Sequence, residues 1–124
     1  FLTDIPKKKK DELLQKLSKM PVRKKLCHGD FNPSNVILTP EKKPYIIDWS
    51  HATLGNGLAD AAGTALSLFL DGETALENDY VSLFLKKSKA EKEEFDFWVP
   101  IVAATLFATA NEREKALLSK KINL

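Results

Sequence analysis

The sequence is poor in cysteine, in histidine and in long apolar runs. Its one cysteine, Cys27, excludes an internal disulfide and favours a reducing compartment, so we expect a cytoplasmic location. Two histidines beside a single cysteine do not make a zinc site. No apolar run approaches the roughly 20 residues that a membrane-spanning helix needs, so we expect no membrane partner.

The chain also lacks a large excess of charge of either sign. The chain has 19 basic and 17 acidic residues, and its net charge of +2 gives no reason to expect a nucleic-acid partner. Basic residues cluster at 7–10 and 23–25, where a solvated face or helix end is favoured over a binding patch. The length of 124 residues, 44% of them hydrophobic, fits one domain with one core, so we treat residues 1–124 as a single domain.

The apolar pattern predicts a mainly α-helical chain with one small β-hairpin. A first helix spans residues 6–19, with Leu13, Leu14 and Leu17 as its apolar stripe, and Pro21 ends it. Lys25–Cys27 reads as a short apolar segment. The strands Val36–Leu38 and Tyr45–Ile47 form a buried hairpin, because a Pro- and Lys-containing turn separates two β-branched or aromatic runs.

The second half of the chain predicts helices alone. Small apolar residues at 59–70 indicate a buried central helix that Asp71 and Gly72 end, and another helix covers 75–87. Ser88 and Glu91 have the spacing of a capping box, and they would begin a helix with a kink or restart at Pro100. A last cap, formed by Asn111 with Glu114, begins a charged helix that ends near residue 124.

The most informative segment is residues 28–35, His-Gly-Asp-Phe-Asn-Pro-Ser-Asn, followed by Ile-Asp-Trp at 47–49. It places Asp30 and Asn35 on one loop and Asp48 at the end of an apolar strand. ATP-dependent phosphoryl transfer needs one carboxylate to orient a hydroxyl, and one carboxylate with one amide to hold magnesium. We therefore predict that Asp30 is the catalytic base and that Asn35 and Asp48 bind Mg²⁺, with all three facing the same space.

Each of these residues also has a plainer interpretation. Asp30 has a turn or helix cap as its alternative, Asn35 a turn residue and Asp48 a structural salt bridge, but the functional interpretation is favoured for all three because they occur together. His28 is expected to brace the backbone rather than shuttle protons. Asp60, at the start of the central helix, is either a first-turn acid that complements the helix dipole or a support that reaches back to the catalytic loop.

Residues 26–35 resemble the catalytic loop of the aminoglycoside phosphotransferase and choline kinase-like family. Residues 47–49 are similar to its metal-binding strand end, and residues 55–60 to the glycine and aspartate segment that follows. The resemblance implies a protein-kinase-like α+β fold of two lobes, with ATP and Mg²⁺ as cofactors and a small hydroxyl compound, such as an aminoglycoside, choline or a sugar, as acceptor. The chain departs from the family at Asn32, where histidine is common, and at residues 56–57, where Asp-Pro is common.

The resemblance also implies that part of the family's machinery is absent. A kinase needs a glycine-rich loop over the phosphates and a strand lysine, and in relatives both precede the catalytic loop. The 27 residues before His28 contain no glycine, and the chain begins with Phe1 rather than Met. We therefore expect the C-terminal catalytic lobe alone, without its N-terminal ATP-binding lobe.

Such a lobe is expected to be inactive by itself and to use its exposed cleft face for the missing lobe or for self-association. Two alternative functions remain open. One is a pseudokinase-like binding or regulatory module, and the other is a helical interaction domain without nucleotide chemistry.

Overall fold

A computed structural model describes residues 5–20 and 23–123 of the chain. The described part contains five helices and four short strands. The helices are α1 (Lys7–Ser18), α2 (Gly57–Leu70), α3 (Thr74–Ser88), α4 (Lys92–Phe107) and α5 (Glu112–Ile122). The strands are β1 (Lys25–Cys27), β2 (Val36–Leu38), β3 (Pro44–Ile46) and β4 (Thr53–Gly55). The prediction of a mainly helical chain is confirmed.

Helix α2 lies at the centre of the fold and packs against α3, α4 and α5. It begins where the Asn56 side chain accepts a hydrogen bond from the Leu58 N–H at 2.8 Å, and it ends at Asp71 and Gly72, as predicted. Its many small residues let the neighbouring helices approach closely, and half of its fourteen residues are buried. The buried central helix expected from the sequence is therefore confirmed.

Helices α4 and α5 complete the core around α2. The buried cluster that joins these helices to α1 comprises Ile5, Leu13, Leu66, Ala103, Ala104, Phe107, Leu118 and Ile122. Each large aliphatic side chain removed from water in this way contributes roughly 1.5–3 kcal/mol. The capping box of Asn111 and Glu114 at the start of α5 is present, with bonds of 2.8 and 3.0 Å.

Three helix predictions are wrong in detail. Ser88 and Glu91 form no capping box, because Ser88 is still the last residue of α3 and the Glu91 side chain makes no cap bond to α4. Helix α4 does not restart at Pro100 but runs through it, since surrounding contacts outweigh one lost backbone bond, and the alternative of a kink there stays a prediction. The α1 stripe is narrower than expected, because Leu13 alone is buried while Leu14 and Leu17 stay exposed. The predicted stop at Pro21 lies outside the described residues.

The strands form two separate antiparallel pairs. In the predicted hairpin, β2 pairs with β3 so that Val36 lies opposite Ile46. Strand β3 begins and ends one residue earlier than predicted, and the N–H of Ile47 continues the pairing in register by bonding to the carbonyl oxygen of Asn35, the last residue of the 3-10 turn Pro33–Asn35. Strand β1 pairs with β4, a strand that the sequence did not predict.

The hairpin is not buried, contrary to expectation. Apolar side chains of both strand pairs and of the adjoining residues are exposed, and this set, here called the sheet face, comprises Leu26, Ile37, Leu38, Tyr45, Ile46, Ile47, Trp49 and Leu54. Three-residue strands cannot cover one another, and the main helix contacts are with other helices, although α2 also contacts β1. Among residues 5–20 and 23–123, no helix is long and apolar enough to cross a membrane.

Candidate active site

Helix α2 holds the 28–35 loop through Asp60. The Asp60 carboxylate accepts hydrogen bonds from the backbone N–H groups of His28 at 3.0 Å and Gly29 at 2.9 Å. Asp60 also lies in the first turn of α2, where its charge complements the helix dipole. Both interpretations of Asp60 from the sequence, the first-turn acid and the support of the loop, therefore hold together. A hydrogen bond to a charged group contributes about 1.5–3 kcal/mol, so this carboxylate is the strongest tie between the loop and the helical core.

The buried His28 ring joins the loop to the end of strand β3. Its Nδ1 accepts a hydrogen bond from the Asp30 N–H at 3.1 Å, so its Nε2–H donates to the Ile47 carbonyl oxygen at 2.8 Å. The ring also packs against Trp49, with ring centroids 4.6 Å apart. Both ring nitrogens are thus engaged with backbone, which is the geometry expected of a bracing histidine.

Gly29 allows the loop to contact the segment that follows Trp49. Its φ is +88°, and a Cβ at this position would lie 2.5 Å from the His51 carbonyl oxygen. Any side chain would therefore push the two segments apart. His51 itself is exposed, and its ring lies beside the Ser50 hydroxyl.

Two amide side chains fix Asp30. The Asn32 Nδ2 donates to Asp30 Oδ1 at 3.0 Å, and the Asn35 Nδ2 donates to Asp30 Oδ2 at 3.3 Å. Both amides also donate to the Asp30 carbonyl oxygen, at 3.1 and 2.8 Å. The Asn32 Oδ1 accepts hydrogen bonds from the Ser34 N–H and hydroxyl, which closes the loop. The exposed Asp30 carboxylate is therefore held in one orientation by its own loop.

Asp48 lies just beyond strand β3 and is exposed. Its φ of +58° places it in the left-handed region, which aspartate tolerates better than most residues. The Ser50 hydroxyl donates to Asp48 Oδ1 at 2.7 Å. That hydrogen bond, followed by one from the Ser50 backbone, lowers the pKa of the Asp48 carboxyl below its usual value, so the charged form is favoured.

The backbone brings Asn35 and Asp48 to the same end of the hairpin. The hydrogen bond from Ile47 N–H to the Asn35 carbonyl oxygen, 2.9 Å long, places Asn35 opposite the residue before Asp48. Asp30 reaches the same place through its bonds to Asn35. That the Asn35 and Asp48 side chains point into one space stays a prediction, because backbone pairing does not fix where they point.

The oxygens available here suit magnesium. The Asn35 Nδ2 is engaged by Asp30, and its Oδ1 accepts no hydrogen bond from the residues that the structure describes. Asp48 adds an exposed carboxylate. Over the same residues, no group of three or more His, Cys, Asp and Glu side chains could hold a metal ion. Mg²⁺ usually takes only one or two carboxylates and completes its shell with water and substrate phosphates, so this sparse set of oxygens fits it.

A cavity of about 460 Å³ opens beside Asp30, between the loop and helices α2 and α4. Hydroxyl groups of Thr53, Ser67 and Thr105 line it, and its charged lining residues among those described are Asp30 and Asp60. A larger hollow of about 850 Å³ lies between α1, α3, α4 and α5 and contains none of the predicted site residues, so volume alone does not identify the site.

Two contacts of the site were not anticipated from the sequence. The hydroxyl of Thr64, one turn beyond Asp60 on α2, donates to the Phe31 carbonyl oxygen at 2.6 Å and so holds the loop at a second point. Strand β4 pairs with β1 and thereby sets the direction in which the chain enters the loop at His28. The spacing of Thr64 from Asp60, four residues on a helix, was the available signal, because it puts both on one face.

Comparison with known proteins gives a match to a family of enzymes. The sequence profile of the phosphotransferase enzyme family matches residues 4–98, which include all five predicted site residues. The chain is 42% identical over 50 residues to acyl-CoA dehydrogenase family member 10 of Mus musculus, a match that covers 39% of this chain and 5% of that much longer protein. No solved structure matches the chain. The resemblance carried by residues 26–60 is confirmed, and the chain belongs to the phosphotransferase enzyme family.

Proposed function

We propose that this chain is the catalytic lobe of an ATP- and Mg²⁺-dependent phosphotransferase that acts on a hydroxyl group of a small molecule. One observation carries the proposal. Asp30 is held by the amides of Asn32 and Asn35, and the hydrogen-bonded end of the hairpin brings Asn35 next to the strand end that bears Asp48. The residues that we propose as base and cation ligands thus lie on two adjoining segments, and membership of the phosphotransferase enzyme family supports the same chemistry.

Asp30 orients the acceptor hydroxyl in this proposal and takes its proton as the phosphoryl group transfers. Phosphoryl transfer has a loose transition state, so catalysis consists mainly of positioning and electrostatic stabilisation. The two amides that hold Asp30 remove its rotational freedom before the acceptor arrives. Asn35 and Asp48 would hold magnesium through Oδ1 and the carboxylate, and the bound ion would neutralise phosphate charge.

The cavity beside Asp30 is the space that we assign to the acceptor. Its volume of about 460 Å³ suits a molecule of sugar or amino-alcohol size. Among the described residues, its charged lining groups are both carboxylates, so an uncharged or cationic alcohol fits better than an anion. Aminoglycoside-, choline- and sugar-like acceptors all meet this description.

We further propose that the chain acts together with an ATP-binding lobe, which would be expected to cover the sheet face. The side chains of that face include Leu26, Leu38 and Leu54, each at least 65% exposed, and exposed large apolar side chains gain free energy when a partner covers them. The other partner that we consider for this face is a second copy of the chain. A cytoplasmic location belongs to the same proposal, because the one cysteine is a free thiol.

The proposal is tested by measuring ATP consumption and phosphoryl transfer to a panel of aminoglycosides, choline and sugars. The chain alone is expected to show no measurable transfer, and a protein that joins it to an ATP-binding lobe is expected to show transfer that EDTA abolishes. Robust turnover by the 124 residues alone would contradict the two-lobe part. Metal binding without transfer to any acceptor, with both lobes present, would favour the pseudokinase-like alternative.

A further inference from the structure

Helix α2 holds the backbone on both sides of Asp30, with a different kind of contact on each side. Before Asp30, the Asp60 carboxylate accepts hydrogen bonds from two backbone N–H groups. After Asp30, the Thr64 hydroxyl donates to the Phe31 carbonyl oxygen at 2.6 Å. The first contact uses a charged group, whereas the second is one neutral hydroxyl and depends on where that hydroxyl directs its single hydrogen.

The Thr64 hydroxyl has a second acceptor within reach. Its oxygen lies 3.4 Å from the carbonyl oxygen of Asp60, one turn earlier on α2, and threonine hydroxyls in helices can bond back in this way. If the hydrogen turned to Asp60, the Phe31 carbonyl oxygen would be released. Because Thr64 is only 4% exposed, neighbouring side chains rather than solvent determine which bond forms.

Tyr80 of helix α3 is the neighbour that can fix this choice. Its phenol is a hydrogen-bond partner of the Thr64 side chain, and its ring centroid lies 6.4 Å from that of Phe31. Because the Thr64 hydrogen is directed to Phe31, the phenol O–H is the donor in the bond between Tyr80 and Thr64. Burial raises the pKa of the Tyr80 phenol, so the group keeps its hydrogen at neutral pH.

The surroundings of Tyr80 favour Thr64 as its partner. Both residues line a cavity of about 370 Å³, and Asn32 is the one other polar residue in that lining among those described. The Asn32 Nδ2 already donates twice to Asp30, and its Oδ1 already accepts two hydrogen bonds. The Tyr80 ring is held in place by stacking on Phe84, with centroids 6.1 Å apart. Thr64 is thus the side chain of this cavity with which the phenol can bond.

We propose that Tyr80 is a positioning residue for the catalytic base, acting through the Thr64 hydroxyl and the Phe31 carbonyl oxygen. The peptide group that contains this carbonyl also contains the N–H of Asn32, whose side chain holds Asp30 Oδ1 at 3.0 Å. Orienting that peptide group therefore orients the amide that holds Asp30. Helix α3, which packs against α2, becomes part of the support of the loop. The role of Asp30 as a base rests on the proposed function, whereas the contacts that hold it do not.

The inference is tested first by NMR on the ¹³C,¹⁵N-labelled chain, with variants that each remove or keep one hydroxyl. Thr64→Val removes the hydroxyl that bonds to the loop, and Thr64→Ser keeps it. Tyr80→Phe removes the phenol hydroxyl alone. Tyr45→Phe is the matched control, because Tyr45 is the other of the two tyrosines and is 50% exposed. The reporters are the ¹³C signal of the Phe31 carbonyl and the side-chain amide signals of Asn32.

We expect these reporter signals to shift most in Thr64→Val, which loses the bond to the loop. Tyr80→Phe should shift them by an intermediate amount, because the Thr64 hydroxyl remains but is free to turn to Asp60. Thr64→Ser should shift them less than Tyr80→Phe does, since it keeps both hydroxyls. Tyr45→Phe should leave the signals in place.

Kinetics of the proposed two-lobe enzyme separate positioning of the base from general support of the fold. Tyr80→Phe should lower kcat by about fivefold, the rate equivalent of one hydrogen bond, and leave the KM for ATP unchanged. Thr64→Val should lower kcat further, and the conservative Thr64→Ser should restore most of it. Tyr45→Phe should match the unmodified enzyme.

The inference is overturned if the Phe31 and Asn32 signals respond to Tyr80→Phe no more than to Tyr45→Phe. Full kcat of Tyr80→Phe in an enzyme that transfers phosphate would overturn it as well. Should Thr64→Val not fold, Tyr80→Phe decides by itself. Shifted loop signals together with no transfer by the unmodified two-lobe protein would contradict the proposed function but support the contact from Tyr80 to the loop.

Discussion

The helical half of the chain and its sheet half differ in what they bury. Ala62, Leu118 and Ile122 have no exposed surface, whereas Leu38 and Leu54 are each 65% exposed. The helices thus form a core by apolar packing, while the paired strands are tied to it by a few polar contacts centred on Asp60. The difference indicates that stability and the proposed chemistry depend on different parts of this chain, so most substitutions should affect one more than the other.

The largest expected effect is on turnover in the proposed two-lobe enzyme. Asp30→Asn should lower kcat by about 10²–10⁴ and leave nucleotide affinity nearly unchanged, because a positioned acid–base group contributes that much. The folded state should persist, since Asp30 is exposed. Steady-state kinetics with nucleotide-binding measurements check this.

Two metal-site variants serve as the contrast for Asp30→Asn. Asp48→Asn should raise the Mg²⁺ concentration needed for half-maximal activity as well as reduce kcat, because it removes charge from the cation site. Asn35→Ala should act in the same way but more mildly. Full activity of Asp30→Asn with none for Asp48→Asn would mean that the metal serves another purpose than activating a hydroxyl.

The next largest effect concerns the core. Leu66→Ala should lower the free energy of unfolding by about 2–5 kcal/mol, because the side chain is 1% exposed and its removal leaves a cavity. The matched change Leu38→Ala on the sheet face should cost about 0.5 kcal/mol or less. Urea unfolding of both variants gives the comparison. Equal losses would show that the sheet face is buried in solution, for instance by self-association.

Asp60→Asn tests the tie between the two halves. The substitution removes the charge that accepts from His28 and Gly29, so we expect a loss of about 1.5–3 kcal/mol in unfolding free energy. Hydrogen exchange at these two amides should speed up more than exchange in α4. The control Asp11→Asn, in an exposed ion pair, should change stability by about 1 kcal/mol or less. Unchanged exchange at Gly29 would show that Asp60 does not hold the loop.

The smallest expected effect is on the pKa of Asp48. Ser50→Ala should raise the pKa of Asp48 towards its ordinary value, because the Ser50 hydroxyl is the main cause of the lowered pKa. A lowered carboxyl pKa gives stability that is present above the ordinary value and is lost as the pH falls through the folded value. Asp48 is fully exposed, so NMR titration of its carboxyl signal is the suitable measurement. If the Asp48 titration curve is the same in Ser50→Ala as in the unmodified chain, the Ser50 hydroxyl is not the cause of the lowered pKa.

Much of the helical half follows from local sequence signals. Small apolar residues predicted α2, and Asn111 with Glu114 predicted the start of α5, because both signals act within one or two turns. The same capping pattern at Ser88 predicted a helix start that does not occur, because Ser88 is the last residue of α3. Pro100 did not break α4, because packing of the surrounding helix outweighs one missing hydrogen bond.

The sheet half was harder to predict because its contacts join distant segments. Strand β4 has three residues and forms only because β1, almost thirty residues earlier, lies beside it. The candidate site residues could be predicted from the residue types and spacing at 28–35 and 47–49. For Asp60 the sequence left two interpretations open, and support of the loop was one of them. The spacing of Thr64 from Asp60 puts both residues on one face of α2, but the contact of Thr64 with Phe31 also depends on where the loop lies, which the local sequence does not fix.

The most direct test of the central claim is metal binding at the hairpin end. The ¹⁵N-labelled chain is titrated with Mg²⁺, and then with traces of Mn²⁺, whose paramagnetism broadens nearby NMR signals. We expect the Asn35 side-chain amide and the Asp48 backbone amide to broaden first, and Asp48→Asn to remove that selectivity. Broadening that begins instead at the acidic residues of α1 or α4, or that is the same in Asp48→Asn, would contradict the assignment of Asn35 and Asp48 as magnesium ligands.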